Sequence, residues 1–282
     1  MKDLELLTGT LHRDGEDIYW ELVRDAEAGK ADQRPVVVLS HGAGGSHAVW
    51  YQQVLEVGAK YRVLTWDSRG FGNSTNHTGQ LAATDGAHDL AAVLDHLEIA
   101  DAHLVGQSMG GWHISAFLQH YTERTCSLTY ANTAGALWTD DLRKAMEEFG
   151  AAGGLRGNRE LPLVGGHLAL WTGNPDRDVA HAFLYQALGS FYSPPLDQLG
   201  ETLAFEIDHA DFDNLDIPVL FIAGEYDQIF PASMLRDSAN RIRGAHFVEI
   251  PDAGHSPYFE QPQAWNAALL DFLASIDASA AS

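Results

Sequence analysis

The stretch GQSMGG, residues 106–111, places a serine between small residues where an apolar run gives way to a helical pattern. Residues 102–106 predict a strand, and residues 109–121 predict a helix. A strand, a sharp turn and a helix in this order are typical of a nucleophile elbow, which needs small residues two before and two after the serine. We therefore expect the Ser108 hydroxyl at the carboxyl edge of a sheet, near the positive end of the helix dipole. A serine that only caps the helix is the alternative interpretation.

Apolar runs alternate with longer amphipathic segments on both sides of this stretch, which is typical of parallel βαβ units. The further predicted strands cover residues 4–10, 18–23, 35–39, 61–66, 126–131, 218–223 and 245–250, and the first two form a hairpin. The further predicted helices of the regular part cover residues 47–60, 85–97, 231–243 and 262–276. The sequence therefore predicts the α/β class, with a mostly parallel sheet of eight strands flanked by helices.

The alternation stops between residues 134 and 205, where no strand-like run recurs. A structureless loop of that length is uncommon inside a domain, so we expect a helical cap inserted after the sixth strand. Residues 142–149 and 179–188 are its clearest predicted helices. The chain then divides into a first core part at 1–133, a cap at 134–205 and a second core part at 206–282.

The composition excludes several classes of function. The 282 residues include 39 acidic and 17 basic side chains, and the net charge of −22 repels nucleic-acid phosphates and anionic membranes. We therefore expect neither nucleic acid nor a membrane as a partner. The single cysteine, Cys126, rules out an internal disulfide. No leader-like segment or long apolar run is present, so we expect a cytoplasmic protein, and a homo-oligomer is compatible with the sequence.

A serine hydroxyl becomes a good nucleophile only beside a base that is itself oriented by an acid. Asp227 follows the predicted strand at 218–223, and His255 follows the last predicted strand. Three chain orders are common for a catalytic serine, acid and histidine, and the order here, serine then acid then histidine, matches that of one fold and not the other two. Glu225 is the competing acid, and His246 is a weaker candidate base because it lies inside a predicted strand.

Two further motifs follow predicted strands: HGAGG at residues 41–45 and DSRGFGNS at residues 67–74. Together with GQSMGG and with GHSPYFEQP at residues 254–262, they resemble the α/β-hydrolase fold superfamily, in its serine-hydrolase branch with a helical cap. The resemblance covers nearly the whole chain. The motifs look most similar to those of enol-lactonases and carboxylesterases.

The resemblance implies a role for each matching residue. Ser108 would attack a carbonyl carbon, His255 would take and return its proton, and Asp227 would orient the imidazole. The backbone N–H groups of Ala43 and Met109 would form the oxyanion hole. His41 would brace its loop, a structural role.

The implied function is hydrolysis of a small carboxylic ester or lactone through an acyl-enzyme, without a cofactor. A metal is not expected, because the sequence has no H-E-x-x-H motif and one cysteine. A carbon–carbon bond hydrolase is an alternative, although such enzymes usually carry tryptophan where this chain has Ser256. A lyase or a ligand-binding receptor on the same scaffold are two further alternatives.

Two more expectations concern the surroundings of the site. Asp67 and Arg69 are expected to pair with each other and to shape a loop. Aromatic residues of the cap are expected either to line an apolar pocket or to join the cap to the core. They are Trp138, Phe149, Trp171, Phe183, Phe191 and Tyr192. The substrate-binding candidates are Trp112, beside the nucleophile, and Trp138, Trp171 and Phe183.

Overall fold

One sheet forms the centre of the protein. The computed structural model describes residues 3–151, 169–171, 173, 179–189, 193–195 and 198–280. Within these ranges the sheet has eight strands, which are Leu4–Arg13 (β1), Glu16–Asp25 (β2), Val36–Ser40 (β3), Arg62–Trp66 (β4), Ala102–Gln107 (β5), Thr125–Ala131 (β6), Val219–Gly224 (β7) and His246–Ile250 (β8). Their order across the sheet is β1-β2-β4-β3-β5-β6-β7-β8.

Most of the sheet is parallel. β1 pairs with β2 and β2 pairs with β4 in antiparallel fashion, whereas all neighbouring pairs from β4 to β8 are parallel. In β3 every residue is buried, which explains its continuous apolar run. The predicted α/β class and mostly parallel sheet are confirmed. The predicted opening hairpin is also present, with longer strands than the sequence indicated.

Helices cover both faces of the sheet. In the described ranges they are Val54–Gly58 (α1), Ala83–His96 (α2), Gly110–His120 (α3), Asp140–Ala151 (α4), Val179–Leu188 (α5), Gly200–Leu203 (α6), Ala232–Asn240 (α7), Pro257–Glu260 (α8) and Pro262–Ala280 (α9). None of these helices is both long enough and apolar enough to span a bilayer.

Each face of the sheet buries its own apolar cluster. Successive residues of a strand point to opposite faces, so Val36 and Val38 join one cluster while Val37 and Leu39 join the other. Helices α2, α3 and α7 contribute to the first cluster, and α1 and α9 contribute to the second. This packing fixes the carboxyl ends of the parallel strands, where the loops that bear the candidate site begin.

The helix predicted at residues 47–60 is wrong as a continuous element. The structure has a short 3₁₀ helix at His47–Trp50 and then α1. Contacts with distant parts of the chain hold this segment, because Asp67 accepts the His47 N–H and Gln53 Nε2 donates to the carbonyl of Tyr258. Such tertiary contacts override the local helical pattern.

A helical insertion follows β6, as predicted, and it contains α4, α5 and α6. The predicted helix at 179–188 matches α5, and that at 142–149 lies within α4. The two ends of the insertion meet at its base, where Ile207 N–H donates to Ala136 O at 3.2 Å and Leu137 bridges to Ile207. The domain boundaries at residues 134 and 205 remain predictions.

Candidate active site

The turn between β5 and α3 has the sharp geometry expected of the GQSMGG stretch. Ser108 has a φ of 50°, in the left-handed region that side chains rarely occupy. A Cβ on Gly106 would lie 2.5 Å from the carbonyl oxygen of Gly110, and one on Gly110 would collide with the carbonyl oxygen of Ser40. The glycines are therefore required sterically for the chain to turn here.

Hydrogen bonds hold the strained residue on both sides. The Ser108 N–H donates to Ala131 O at 3.0 Å, and the Ser108 carbonyl accepts from Thr133 Oγ1 at 2.7 Å and from Gly111 N–H at 2.9 Å. A non-glycine residue with positive φ costs about 1–3 kcal/mol and persists only where its surroundings determine it. Here they do, and the Ser108 side chain is left partly accessible at the edge of the sheet.

Asp227 and His255 lie together in the structure. Asp227 follows β7, and its Oδ2 lies 2.9 Å from His255 Nδ1. Its Oδ1 accepts the N–H groups of Ile229 and Phe230 at 2.8 and 3.0 Å. The competing acid, Glu225, instead accepts the N–H of Asp252. The geometry therefore favours Asp227 as the partner of the histidine.

His255 lies on the loop after β8 with its ring buried. Because Nδ1 faces Asp227, Nε2 is the nitrogen left for a proton-transfer partner. Among the described residues, no hydrogen bond joins Ser108 Oγ to this imidazole. Hydrogen bonds between a nucleophile and its base are often long until substrate binds, so a Ser108–His255 pair is compatible with this geometry. His246 begins β8, at the opposite edge of the sheet, and its ring packs on Phe272.

The two predicted oxyanion donors border one apolar cluster. Met109 belongs to this cluster, and Ala43 packs against it; the other members are Phe71, Leu81 and Leu199. In the part of the chain that is described, neither the Ala43 nor the Met109 N–H has a hydrogen-bond acceptor. A Cβ on Gly42 would lie 2.9 Å from Ser108 Cβ, so the Ala43 loop passes directly beside the serine.

His41 braces the Ala43 loop, as expected. Its Nε2 accepts the Ser68 N–H at 3.0 Å, and its Nδ1 lies 2.8 Å from Gly42 O. Burial lowers the pKa of His41, although the nearby charge of Asp67 opposes that shift. The imidazole is therefore neutral at pH 7, and its two nitrogens connect the loop to the turn after β4.

The expected pairing of Asp67 with Arg69 is wrong. Asp67 accepts hydrogen bonds from the backbone and ring of His47 and from the Asn73 N–H. Arg69 forms two hydrogen bonds with Asp89 of α2, both at 2.8 Å. Although close in sequence, the two side chains bind different elements: Asp67 binds His47, and Arg69 binds Asp89.

The predicted aromatic residues divide into groups. The Trp112 ring lies 5.8 Å from that of Trp138 and 6.2 Å from Phe230, whose ring is 5.9 Å from His255. These aromatic rings form a continuous group from α3, the helix that follows Ser108, to the imidazole of His255. Trp171 stacks on Tyr226, the residue before Asp227, with ring centroids 4.4 Å apart.

The remaining predicted aromatic residues are not brought to this group. Phe183 of α5 is 53% exposed, and Phe149 packs on the apolar cluster beneath the insertion. Phe191 and Tyr192 lie outside the described residues. Of the four substrate-binding candidates, Trp112 and Trp138 therefore share an aromatic group with His255, and Trp171 lies beside Tyr226.

A family model described as the alpha/beta hydrolase fold matches residues 35–262. The chain belongs to the α/β-hydrolase fold family. In this family the nucleophile elbow presents its serine at the carboxyl edge of the sheet. Ser108, Asp227 and His255 lie on loops at that edge in this chain.

Known α/β-hydrolases align with this chain over most of their length. A putative non-heme bromoperoxidase, BpoC, of Mycobacterium tuberculosis is 30% identical over 257 residues, covering 86% of this chain and 95% of the relative. A 3-oxoadipate enol-lactonase of Acinetobacter baylyi is 29% identical, covering 87% and 91%. The structure of a thermophilic esterase from Thermogutta terrifontis superposes with a TM-score of 0.71 at 25% identity, covering 96% and 99%.

Three residues that sequence reasoning did not assign to the site contact it. Asn132 Nδ2 donates to Asp227 Oδ2 at 2.8 Å. Tyr185 of α5 hydrogen-bonds Ser256 Oγ at 2.8 Å. Glu260 accepts the Gly254 N–H. Of these, Asn132 offered a sequence signal, because it directly follows the strand beside the one that precedes Asp227.

Helix α5 links the two sides of the site in this α/β-hydrolase. Tyr185 contacts Ser256 after His255, and a Cβ on Gly189, after the helix, would lie 3.3 Å from Gly44 O. The insertion therefore reaches both the loop that carries His255 and the Ala43 loop. No group of three or more His, Cys, Asp or Glu side chains arranged to hold a metal occurs within the described ranges.

Proposed function

We propose that this α/β-hydrolase is a serine hydrolase that cleaves a carboxylic ester or lactone through an acyl-enzyme on Ser108. One observation carries the proposal: the hydrogen-bonded pair of Asp227 and His255 shares a sheet edge with a serine held at positive φ. Acyl transfer by a serine needs a base that an acid orients, and a nucleophile elbow presents the serine to such a pair on a strained turn.

In the proposed first step, His255 Nε2 takes the proton of Ser108 as Oγ attacks the carbonyl carbon. The oxygen of the tetrahedral intermediate accepts hydrogen bonds from the N–H groups of Ala43 and Met109. A single donor of this kind stabilises the transition state by about 3 kcal/mol. Asp227 stabilises the imidazolium, because its carboxylate is already fixed by the Ile229 and Phe230 N–H groups.

The intermediate then collapses. His255 returns the proton to the leaving oxygen, the carbon–oxygen bond breaks and an acyl-enzyme remains on Ser108. Water, deprotonated by His255, attacks the acyl carbon, and the carboxylic acid leaves as the serine regains its proton. With a lactone the leaving oxygen stays attached to the acyl group, so the product is a single hydroxy acid. With an enol lactone the released enol becomes a ketone, and the product is a keto acid.

The test is pre-steady-state release of nitrophenol from short and long acyl esters, followed by turnover of a panel of lactones. We expect a burst equal to the enzyme concentration, an acyl adduct on Ser108 by mass spectrometry, and loss of turnover by about 10⁶-fold in Ser108→Ala. Ser275→Ala, on α9, is the matched control and should behave as wild type. Turnover that survives in Ser108→Ala, or no burst and no turnover with any substrate, would overturn the proposal.

A further inference from the structure

We propose that Asn132 is a positioning residue for the acid and base, and this inference rests on the proposed function. Asn132 directly follows β6 and is fully buried. Its Nδ2 donates to Asp227 Oδ2 at 2.8 Å and to Gly254 O at 3.2 Å. A single amide group thus ties the carboxylate to the residue that precedes His255.

The orientation of the amide follows from its neighbours. Both groups facing it, the Asp227 carboxylate and the Gly254 carbonyl, are acceptors, so only the NH₂ side of the amide can face them. The opposite flip would place the Asn132 carbonyl oxygen against two other oxygens. The network therefore assigns Nδ2 as a donor to both groups.

Asn132 acts on the oxygen that also binds the imidazole. Asp227 Oδ2 accepts from both Asn132 Nδ2 and His255 Nδ1, whereas Oδ1 is held by two backbone N–H groups. The backbone thus fixes one end of the carboxylate, and Asn132 fixes the other. We infer that the amide sets the rotation of the carboxylate and thereby the direction in which His255 Nε2 points.

Asn132 keeps this position at a structural cost. Its φ is 50°, a left-handed conformation that asparagine tolerates better than most residues. Within the described residues, its buried Oδ1 has no hydrogen-bond partner. A strained residue with an unsatisfied buried oxygen calls for an explanation, and the two donated hydrogen bonds supply one.

Two variants separate the amide from the backbone that carries it. Asn132→Gly removes both donors but accepts the positive φ without strain. Asn132→Asp keeps the shape and places a second carboxylate against Asp227. We expect Asn132→Gly to lower kcat on a nitrophenyl ester by about tenfold or more, with KM within about twofold of wild type.

The pH dependence of kcat/KM in Asn132→Asp is a readout that would not change if Asn132 had a purely structural role. Two buried carboxyl groups this close share one proton, so the new carboxyl donates that proton to Asp227 Oδ2 and draws negative charge from the oxygen that binds His255 Nδ1. The imidazolium is then stabilised less, and the acid limb of kcat/KM should move to lower pH by about one unit. Within the described residues, the other titratable groups near the pair include Tyr185 of α5, Tyr258 and Glu260 of α8, and Glu225 after β7, and they are the same in every variant. Asn266→Asp, which also adds a carboxylate at a buried asparagine, is the matched control and should leave the limb in place.

A spectroscopic measurement separates failure of this inference from failure of the proposed function. The downfield proton resonance of His255 Nδ1–H reports the bond to Asp227 without any substrate. We expect it to shift in Asn132→Gly and Asn132→Asp and to stay unchanged in Asn266→Asp. An unshifted resonance together with an unmoved acid limb and wild-type kcat would overturn the role of Asn132. Turnover that survives in Ser108→Ala would instead overturn the proposed function.

Discussion

His47 Nδ1 lies 2.9 Å from both carboxylate oxygens of Asp67, and the backbone N–H of His47 donates to the same carboxylate at 2.6 Å. Asp67 also accepts the Asn73 N–H, so one buried carboxylate joins the segment after the Ala43 loop to the turn after β4. Burial alone would lower the pKa of His47. The hydrogen bond to Asp67 and the charges of Asp67 and Glu21 outweigh burial and raise it.

The pair should make stability depend on pH in the neutral range. A histidine whose pKa is higher in the folded state stabilises the fold fully below the unfolded pKa of about 6.5, and this contribution is lost as pH rises through the folded value. We expect His47→Gln to lower the free energy of unfolding by about 1–3 kcal/mol at pH 6, and by less at pH 9.

Urea unfolding of both proteins between pH 6 and 9 measures the difference. His12→Gln is the control, because His12 makes an exposed contact with Asp17. A His47→Gln difference that stays constant across this range would show that the ion pair does not contribute as argued.

The two arginines around Asp89 give a second prediction. Asp89 is fully buried and accepts from Arg69 at 2.8 Å and from Arg13 at 2.6 Å. Removing one member of a buried ion pair leaves an uncompensated charge, at a cost of about 3–5 kcal/mol. We expect Asp89→Asn to lose this much stability in urea unfolding at neutral pH.

Asp95→Asn is the matched control on the same helix. Asp95 pairs with Arg124 at 2.8 Å, but its side chain is 69% exposed. Exposed pairs contribute about 1 kcal/mol or less. If the two variants lose equal stability, burial of the Asp89 cluster is not what makes it important.

The sequence predicted features that depend on local pattern. The elbow could be recognised because glycine spacing, a preceding strand and a following helix all lie within one short stretch. Asp227 and His255 could be placed at one edge because parallel strands end on the same side of a sheet. Insertion helix α5 was predicted because its apolar run is continuous.

Features that depend on side-chain direction could not be predicted. Arg69 was assigned to Asp67 by proximity in sequence, but its partner Asp89 lies on another element. Asn132 directly follows the strand beside the one that precedes Asp227, but only the three-dimensional arrangement shows its amide facing the Asp227 carboxylate. Partner choice depends on distances between elements that are far apart in the chain, which periodicity does not report.

Gly106 offers a steric test of the elbow. A Cβ at this position would lie 2.5 Å from the backbone oxygen of Gly110 and 2.7 Å from the Gly111 nitrogen. Backbone atoms cannot rotate away as a flexible side chain can, so Gly106→Ala must displace the turn that carries Ser108. We expect a loss of about 1–3 kcal/mol in stability and a larger relative loss in kcat, measured by urea unfolding and ester turnover.

Gly150→Ala is the control for this substitution. Gly150 lies in α4, and a Cβ there would meet no atom within 4 Å. Alanine in a helix is more stable than glycine by about 0.5–1 kcal/mol, so this variant should gain stability and keep its activity. Wild-type activity in Gly106→Ala would mean that the elbow relaxes without cost.

Glu260 connects the insertion to the histidine loop. One carboxylate oxygen accepts the Gly254 N–H at 2.8 Å, and the other accepts the Trp171 N–H at 2.6 Å. In Glu260→Gln one of these oxygens becomes an NH₂ group that faces another N–H. We expect a loss of about 1–3 kcal/mol in stability. We also expect kcat to fall several-fold, because Gly254 precedes His255.

Glu249→Gln, at an exposed pair with Arg236, should change neither quantity in the same assays. Equal kcat for wild type and Glu260→Gln would show that the histidine loop holds its position without this contact.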